Sequence, residues 1–258
     1  MKKHIPLVVG NWKMNPVSAE KAEILSKEIL KDIGKNMSGI YVGICPPTLY
    51  IPVLSKRFRN SPVTLGAQDV SSEKEGPHTG EVSIAMLKQF GVDHVFIGHS
   101  ERRAQGERDE TVAKKALTSV RGGLLTIVCV GEKVRDGHGH YFNEIESQLK
   151  SLFSKIEKKH LGKLVIAYEP VWAIGTGKTA SVEDIHEMKL FIQKIIAQTY
   201  ERSAISKVRI IYGGSVNKDN ARSLCEESGM NGFLVGGASL KSLEFAEIVR
   251  ITSHHGNK

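Results

Sequence analysis

The chain has 258 residues, a formal net charge of +8 and 40% hydrophobic residues. That length suits one or two domains, single α/β barrels of about 250 residues among them, and is enough to bury about 70–75% of the unfolded surface. No apolar run approaches the ~18 residues that a membrane helix needs, and the Lys and Arg residues are interspersed with Asp and Glu, with no aromatic-interleaved basic run of the kind that binds nucleic acid. The basic start Met1-Lys2-Lys3-His4-Ile5-Pro6 leads into a short strand and does not read as a signal peptide. Cys45, Cys129 and Cys225 are odd in number and far apart, which fits reduced thiols in the cytoplasm and neither a disulfide framework nor a zinc site. His138-x-His140 on a glycine-rich turn is too isolated to add a metal site. The remaining excess of positive charge favours small anionic ligands by steering them.

Short apolar strands recur along the chain, at Ile5–Trp12, Ile40–Cys45, Val63–Ala67, His94–Ile97, Leu124–Val130, Leu164–Tyr168, Val208–Tyr212 and Gly232–Val235. Amphipathic stretches separate them. Ala22, Leu25, Ile29 and Ile33 share a helical face that stops at Gly34, and Ile185, Met188, Ile192 and Ile195 share another. Ser181-Val182-Glu183-Asp184 before the second stretch has the form of a capping box. The most charged helix is expected from Tyr141 to His160. Strict alternation of apolar strands and helices predicts a parallel sheet covered by helices. Eight units point to a closed (β/α)8 barrel, with an open doubly wound sheet as the competing topology. Nothing in the chain reads as a linker, so 1–258 is expected to form one domain.

Chemistry in such a barrel lies where strands end and loops begin. Strand one ends in Asn11-Trp12-Lys13-Met14-Asn15, where Lys13 is open to two readings, a surface lysine or an anion clamp beside Asn11. Strand four ends in His99-Ser100-Glu101-Arg102-Arg103. A lone histidine is usually structural, but five polar residues in a row point to a network in which Glu101 and the arginines hold His99 and Lys13. Cys129, ending an apolar run, reads as a packed thiol. Strand six delivers Glu169, and Pro170 after it forces extended geometry on that residue. The segment that follows, Val171-Trp172-Ala173-Ile174-Gly175-Thr176-Gly177-Lys178 and on through Thr179 and Ala180, is too apolar for an ordinary surface loop and has the character of a lid. Strands seven and eight end in Gly213-Gly214-Ser215 and Gly236-Gly237-Ala238-Ser239. Backbone N–H groups without a Cβ in the way can close on phosphate oxygens there.

Taken in order, five stretches closely resemble the triosephosphate isomerase family: Asn11–Asn15, Gly98–Arg103, Ala167–Gly177, Tyr212–Val216 and Gly232–Leu240. The resemblance runs along essentially the whole chain. It implies a glycolytic and gluconeogenic enzyme that interconverts dihydroxyacetone phosphate and D-glyceraldehyde 3-phosphate through an enediolate, with no metal or cofactor. Glu169 would be the base, His99 the neutral electrophile and Lys13 the substrate-binding cation, which is the family's own established arrangement. Asn11 would contact substrate oxygens, the backbone of Gly175, Ser215, Gly236 and Gly237 would hold the phosphate, and Pro170–Ala180, including Val171, Trp172, Lys178, Thr179 and Ala180, would close over it.

The resemblance also implies a cytoplasmic homodimer with no nucleic-acid or membrane partner. In it Thr79, on the loop Gly76-Pro77-His78-Thr79-Gly80, and Met14 would lie at the interface. Two positions depart from the family pattern. Pro77 and His78 stand where a small residue and an aromatic are usual, and Asn231 stands where many members have Asp, a change expected to act only on the turn before the last strand. A barrel acting on another phosphosugar, or a catalytically silent phosphometabolite binder, would share the phosphate turns but not the combination of Glu169, His99 and Lys13.

Overall fold

A computed structural model describes residues 4–34, 37–174 and 179–256, and eight parallel strands in it close into a ring in chain order. They are β1 (Leu7–Asn11), β2 (Tyr41–Cys45), β3 (Val63–Ala67), β4 (Val92–Ile97), β5 (Leu125–Val130), β6 (Leu164–Tyr168), β7 (Arg209–Tyr212) and β8 (Gly232–Val235). The pairing of β8 back onto β1 decides between the two topologies in favour of the barrel. Three strands fall on their expected residues and five shift at an edge by one or two. At the first strand, Pro6 has no N–H to offer a ladder and Ile5 is exposed, so pairing begins at Leu7. At the fourth, a register shift between Leu65 and Gly66 lets β4 start early, at Val92.

The helices around the ring, among the described residues, are α1 (Ala19–Ile33), α2 (Ile51–Phe58), α3 (Ile84–Gln89), α4 (Ser100–Ala104), α5 (Asp109–Arg121), α6 (Tyr141–Phe153), α7 (Val182–Tyr200), α8 (Ala221–Glu227) and α9 (Ser242–Gly256). Ser18 caps α1, and Gly34 ends it. The capping box of Ser181 and Asp184 opens α7, whose buried stripe contains Ile185, Met188, Ile192 and Ile195. The charged helix is shorter than expected. It stops at Phe153, and a 3-10 turn, Lys158–Lys163, follows. The Tyr200 hydroxyl, 3.1 Å from the Phe153 carbonyl and 2.6 Å from that of Ile156, serves oxygens that a longer helix would have bonded internally. None of the described helices is long and apolar enough to cross a membrane.

Strand residues pointing inward, among them Val9, Phe96, Ile127, Val165 and Ile211, fill the ring, while a larger apolar layer packs between ring and helices. One buried polar residue interrupts the filling. His94 sits over Gly43 and Gly66, with Nδ1 3.1 Å from the Tyr41 hydroxyl and Nε2 3.3 Å from the Cys45 sulfur. Burial holds its imidazole down to a pKa of about 3.

The β7–β8 seam is paired at a single register position, Tyr212 with Phe233. Asn231 supplements it: its N–H donates to the Ile210 carbonyl (2.7 Å) and its side-chain oxygen accepts the Ile210 N–H (2.8 Å). Its own carbonyl accepts the N–H of Leu7. The residue therefore acts on β7 and β1 as well as on the turn before β8, a wider reach than its sequence position implies.

Candidate active site

Glu169 leaves β6 still in register, its N–H bonded to the Val130 carbonyl at 2.8 Å. The neighbouring strands make room for it. A Cβ on Gly131 would lie 1.8 Å from the Glu169 carbonyl oxygen, and one on Gly213 would lie 2.9 Å from its Cγ. The side chain is turned inward and only 1% of the residue is exposed. Oε2 accepts the backbone N–H of Ser100 at 2.9 Å. Oε1 lies 3.4 Å from His99 Nε2 and has no hydrogen-bond partner among the described residues.

His99 stands two residues past the end of β4 and caps the short helix α4. The backbone N–H of Glu101 donates to its Nδ1 at 3.2 Å. Nδ1 is therefore an acceptor, and the ring proton sits on Nε2, facing Glu169. The Glu101 carboxylate bonds Lys13 Nζ at 2.6 Å and lies 3.7 Å from His99 Nδ1. The arginines act on the turn that carries His99 and not on Lys13. Arg102 pairs with Asp69 at 2.6 Å, while Arg103 donates to the carbonyls of Gly98 and Cys129 and pairs with Asp109. Their backbone N–H groups donate to the His99 carbonyl at 2.8 and 3.0 Å, and their guanidinium groups pin the turn that carries it without reaching the imidazole or Lys13.

Lys13 has a backbone φ of +52°, unusual for a residue with a side chain. Its N–H donates to the Asn11 side-chain oxygen at 2.8 Å, and its carbonyl accepts from Gln68 Nε2 at 2.9 Å. Gln68 also donates to the Cys45 carbonyl. With its oxygen so engaged, the Asn11 carboxamide has its N–H groups left for a ligand.

These side chains share a cavity of about 300 Å³ with Ser215, Leu234, Gly236 and Gly237. The backbone at Gly236 and Gly237 enters a 3-10 turn, and an added Cβ on Gly237 would meet no protein atom within 4 Å. A model of the triosephosphate isomerase family matches residues 6–252. The chain belongs to the triosephosphate isomerase family. It is 41% identical over 247 residues to the triosephosphate isomerase of Endomicrobium trichonymphae, covering 95% of this chain and 98% of that one. It is 42% identical to those of Citrifermentans bemidjiense and Herminiimonas arsenicoxydans, over 247 and 246 residues and with the same coverage.

Not every residue carried over from the triosephosphate isomerase pattern meets this cavity. Gly175 and Lys178 lie outside the described residues. Pro170 leads into a 3-10 turn over Val171–Ala173, Thr179 is exposed and Ala180 is buried. Met14 is 90% exposed and Thr79 is exposed on the outward loop, neither lining the cavity. That loop keeps its own shape through His78 N–H to Gly76 carbonyl and Glu81 N–H to His78 carbonyl bonds, with Pro77 between them. Cys129 is buried, its thiol pKa pushed well up by burial, as a packed residue should be.

Two residues of the surroundings escaped sequence reasoning. Gln68 has the signal of a polar residue one step past a strand end. Glu132, two steps past the end of β5, is wholly buried, accepting from the Tyr168 hydroxyl at 2.8 Å and from Trp172 Nε1 at 2.7 Å.

Proposed function

We propose that Glu169, His99 and Lys13 carry out in this chain the interconversion of dihydroxyacetone phosphate and D-glyceraldehyde 3-phosphate, the glycolytic reaction of the family to which it belongs. The observation that carries the assignment is the buried carboxylate of Glu169 facing the Nε2–H of His99 at 3.4 Å beside Lys13. A proton on carbon next to a carbonyl is weakly acidic, so its removal needs a base and a donor for the oxygen that becomes negative. Glu169 Oε1 takes the proton from one carbon, and the C–H electrons move onto the carbonyl oxygen to give the enediolate. The Nε2–H of His99 and the ammonium of Lys13 stabilise that oxygen; His99 Nε2 gives it a proton and takes the proton of the neighbouring hydroxyl, and Glu169 returns its proton to the adjacent carbon as the freed hydroxyl oxygen becomes the new carbonyl. Apolar neighbours Ile174 and Leu234 keep water from the base. The backbone at Ser215, Gly236 and Gly237 binds the phosphate, together with Gly175, and Asn11 binds a substrate oxygen. The segment Pro170–Ala180 closes over them, and no metal or cofactor is required.

We read residues 1–258 as one such barrel domain, cytoplasmic and assembled as a homodimer. What supports assembly is the exposure of Met14 (90%), Val17 (82%) and Leu49 (86%), large apolar side chains in a chain whose loop Ser72–Glu81 also stands outward. Sedimentation at micromolar concentration is expected to give twice 28.4 kDa, and a species of single mass would remove the dimer.

The deciding experiment is an NMR time course of dihydroxyacetone phosphate with the purified protein in D2O. Deuterated glyceraldehyde 3-phosphate is expected. Deuterium entering the ketone with no aldehyde formed, or no exchange at all from folded protein, would overturn the assignment.

A further inference from the structure

Of the three carboxylates around Arg135, Glu132 on the β5–α6 connection contacts the start of the segment between β6 and α7, and Asp184 and Glu187 belong to the first turns of α7 at its far end. Arg135 lies on the β5–α6 connection, its side chain 15% exposed and its guanidinium 4.4 Å from the centre of the Tyr141 ring. On one side it faces Glu132 Oε1 at 3.6 Å. On the other its Nη2 pairs with Asp184 Oδ1 at 3.0 Å and with Glu187 Oε2, which also accepts the Tyr141 hydroxyl.

Each of these partners has a second task. Asp184 uses its other oxygen to accept the N–H of Ser181, and Ser181 Oγ accepts the N–H of Asp184, so the pair sets where α7 begins. Glu132 takes the Tyr168 hydroxyl and Trp172 Nε1 on one carboxylate oxygen, while its backbone carbonyl takes the N–H of Val171. Tyr168, Val171 and Trp172 bracket Glu169 in the chain. Glu132 is wholly buried, and a buried carboxylate without a counterion is costly. Arg135 is the cation that faces it. Exposed ion pairs contribute little as a rule, but one guanidinium shared by three carboxylates and packed on an aromatic ring is held in a single geometry.

We propose that Arg135 is a positioning residue for Glu169: by holding Glu132 against Tyr168, Val171 and Trp172, and Asp184 and Glu187 at the start of α7, it sets both ends of the β6–α7 connection from one point. The proposal rests on the reading of Glu169 as the base. Loss of Arg135 leaves the cavity and its anion-binding groups in place and loosens the aim of the carboxylate. Its signature is accordingly a fall in kcat with KM nearly unchanged.

The chain has two tryptophans, Trp12 and Trp172, so a Trp12→Phe background makes Trp172 the reporter. In that background Arg135→Met is expected to lower kcat by about tenfold to a hundredfold, the range for slight misplacement of a reacting group, with KM within about twofold. Trp172 emission is expected to shift in the same protein, and Arg135→Lys to recover part of both effects. In a Glu132→Gln background, where the buried charge is gone, Arg135→Met should have a smaller effect. Unchanged kcat, a rise in KM alone, or full additivity with Glu132→Gln would overturn the proposal, and Arg135→Lys shows the same fall in kcat and Trp172 shift at smaller amplitude should the methionine variant not fold. Failure of the base assignment is distinguishable. It would appear as turnover retained in Glu169→Gln, while the Trp172 shift on changing Arg135 would persist.

Discussion

The backbone N–H of Ser100 holds Oε2 of Glu169 at 2.9 Å. A glutamine keeps an oxygen for that N–H but has no carboxylate to accept a proton from carbon. Glu169→Gln is therefore expected to fold, to bind inorganic phosphate, and to turn over about 10³-fold more slowly, within the usual span for losing a general base. A coupled assay for turnover and a phosphorus NMR titration for binding check the two halves separately. Near-normal turnover would remove Glu169 from the chemistry.

Lys13 gives its ammonium to Glu101 at 2.6 Å, a pair whose side chains are 34% and 55% exposed. Pairs so exposed add little to stability, so Lys13→Met should melt close to the wild type. Its KM is expected to rise by about tenfold to a hundredfold, the equivalent of losing a charged hydrogen bond of roughly 1.5–3 kcal/mol. Because the same ammonium faces the enediolate oxygen, kcat is expected to fall as well; steady-state kinetics decide it, and unchanged kcat and KM together would make Lys13 a bystander.

Gln68 bonds the carbonyls of Lys13 and Cys45, both at 2.9 Å. The left-handed backbone at Lys13 costs about 1 kcal/mol or more and persists because its surroundings hold it. Gln68→Leu removes that hold and leaves two carbonyls unpaired. A fall in kcat/KM together with a loss of about 1–3 kcal/mol in stability is expected. Denaturant unfolding and kinetics on one preparation test this, and a stable variant with full activity would contradict it.

His94 makes stability depend on pH in a definite direction. Its folded value, about 3, lies below the ~6.5 of an unfolded chain. The unfolded chain takes the proton first, so this contribution is complete above about pH 6.5 and is lost as pH falls toward 3. The slope approaches ~1.4 kcal/mol per pH unit in that window. Unfolding free energies of wild type and His94→Leu, compared at pH 7 and pH 5, should diverge by the corresponding amount. Parallel losses in both proteins would show that His94 is not the titrating group.

The eight strands were legible because each is a short apolar run bounded by turn residues, and the β1–β8 closure then chose between two topologies that share that pattern. Glu169, His99 and Lys13 could be singled out because each stands within two residues of a strand's C-terminal end. What could not be read were distant partners. Arg102 and Arg103 sit beside His99 in sequence, yet their charges are taken up by Asp69 and Asp109. The φ of Lys13, and the space that Gly131 leaves for the Glu169 carbonyl, arise from neighbouring strands and leave no periodic mark on the chain. Helix α6 was read too long because charge and helix propensity continue past Phe153, whereas the Tyr200 hydroxyl that receives its end comes from α7.

The β7–β8 seam, paired only at Tyr212 with Phe233, runs between the two strands whose ends form the proposed phosphate cup. On the proposed reading, a dianion gripped by Ser215 on one side and by Gly236 and Gly237 on the other spans that joint like a clasp. Its binding energy then adds to the resistance of the ring to opening, because the ligand is held only while the ring is closed. On that reading, substrate supply and the lifetime of the folded protein are linked through the most sparsely paired seam of the ring.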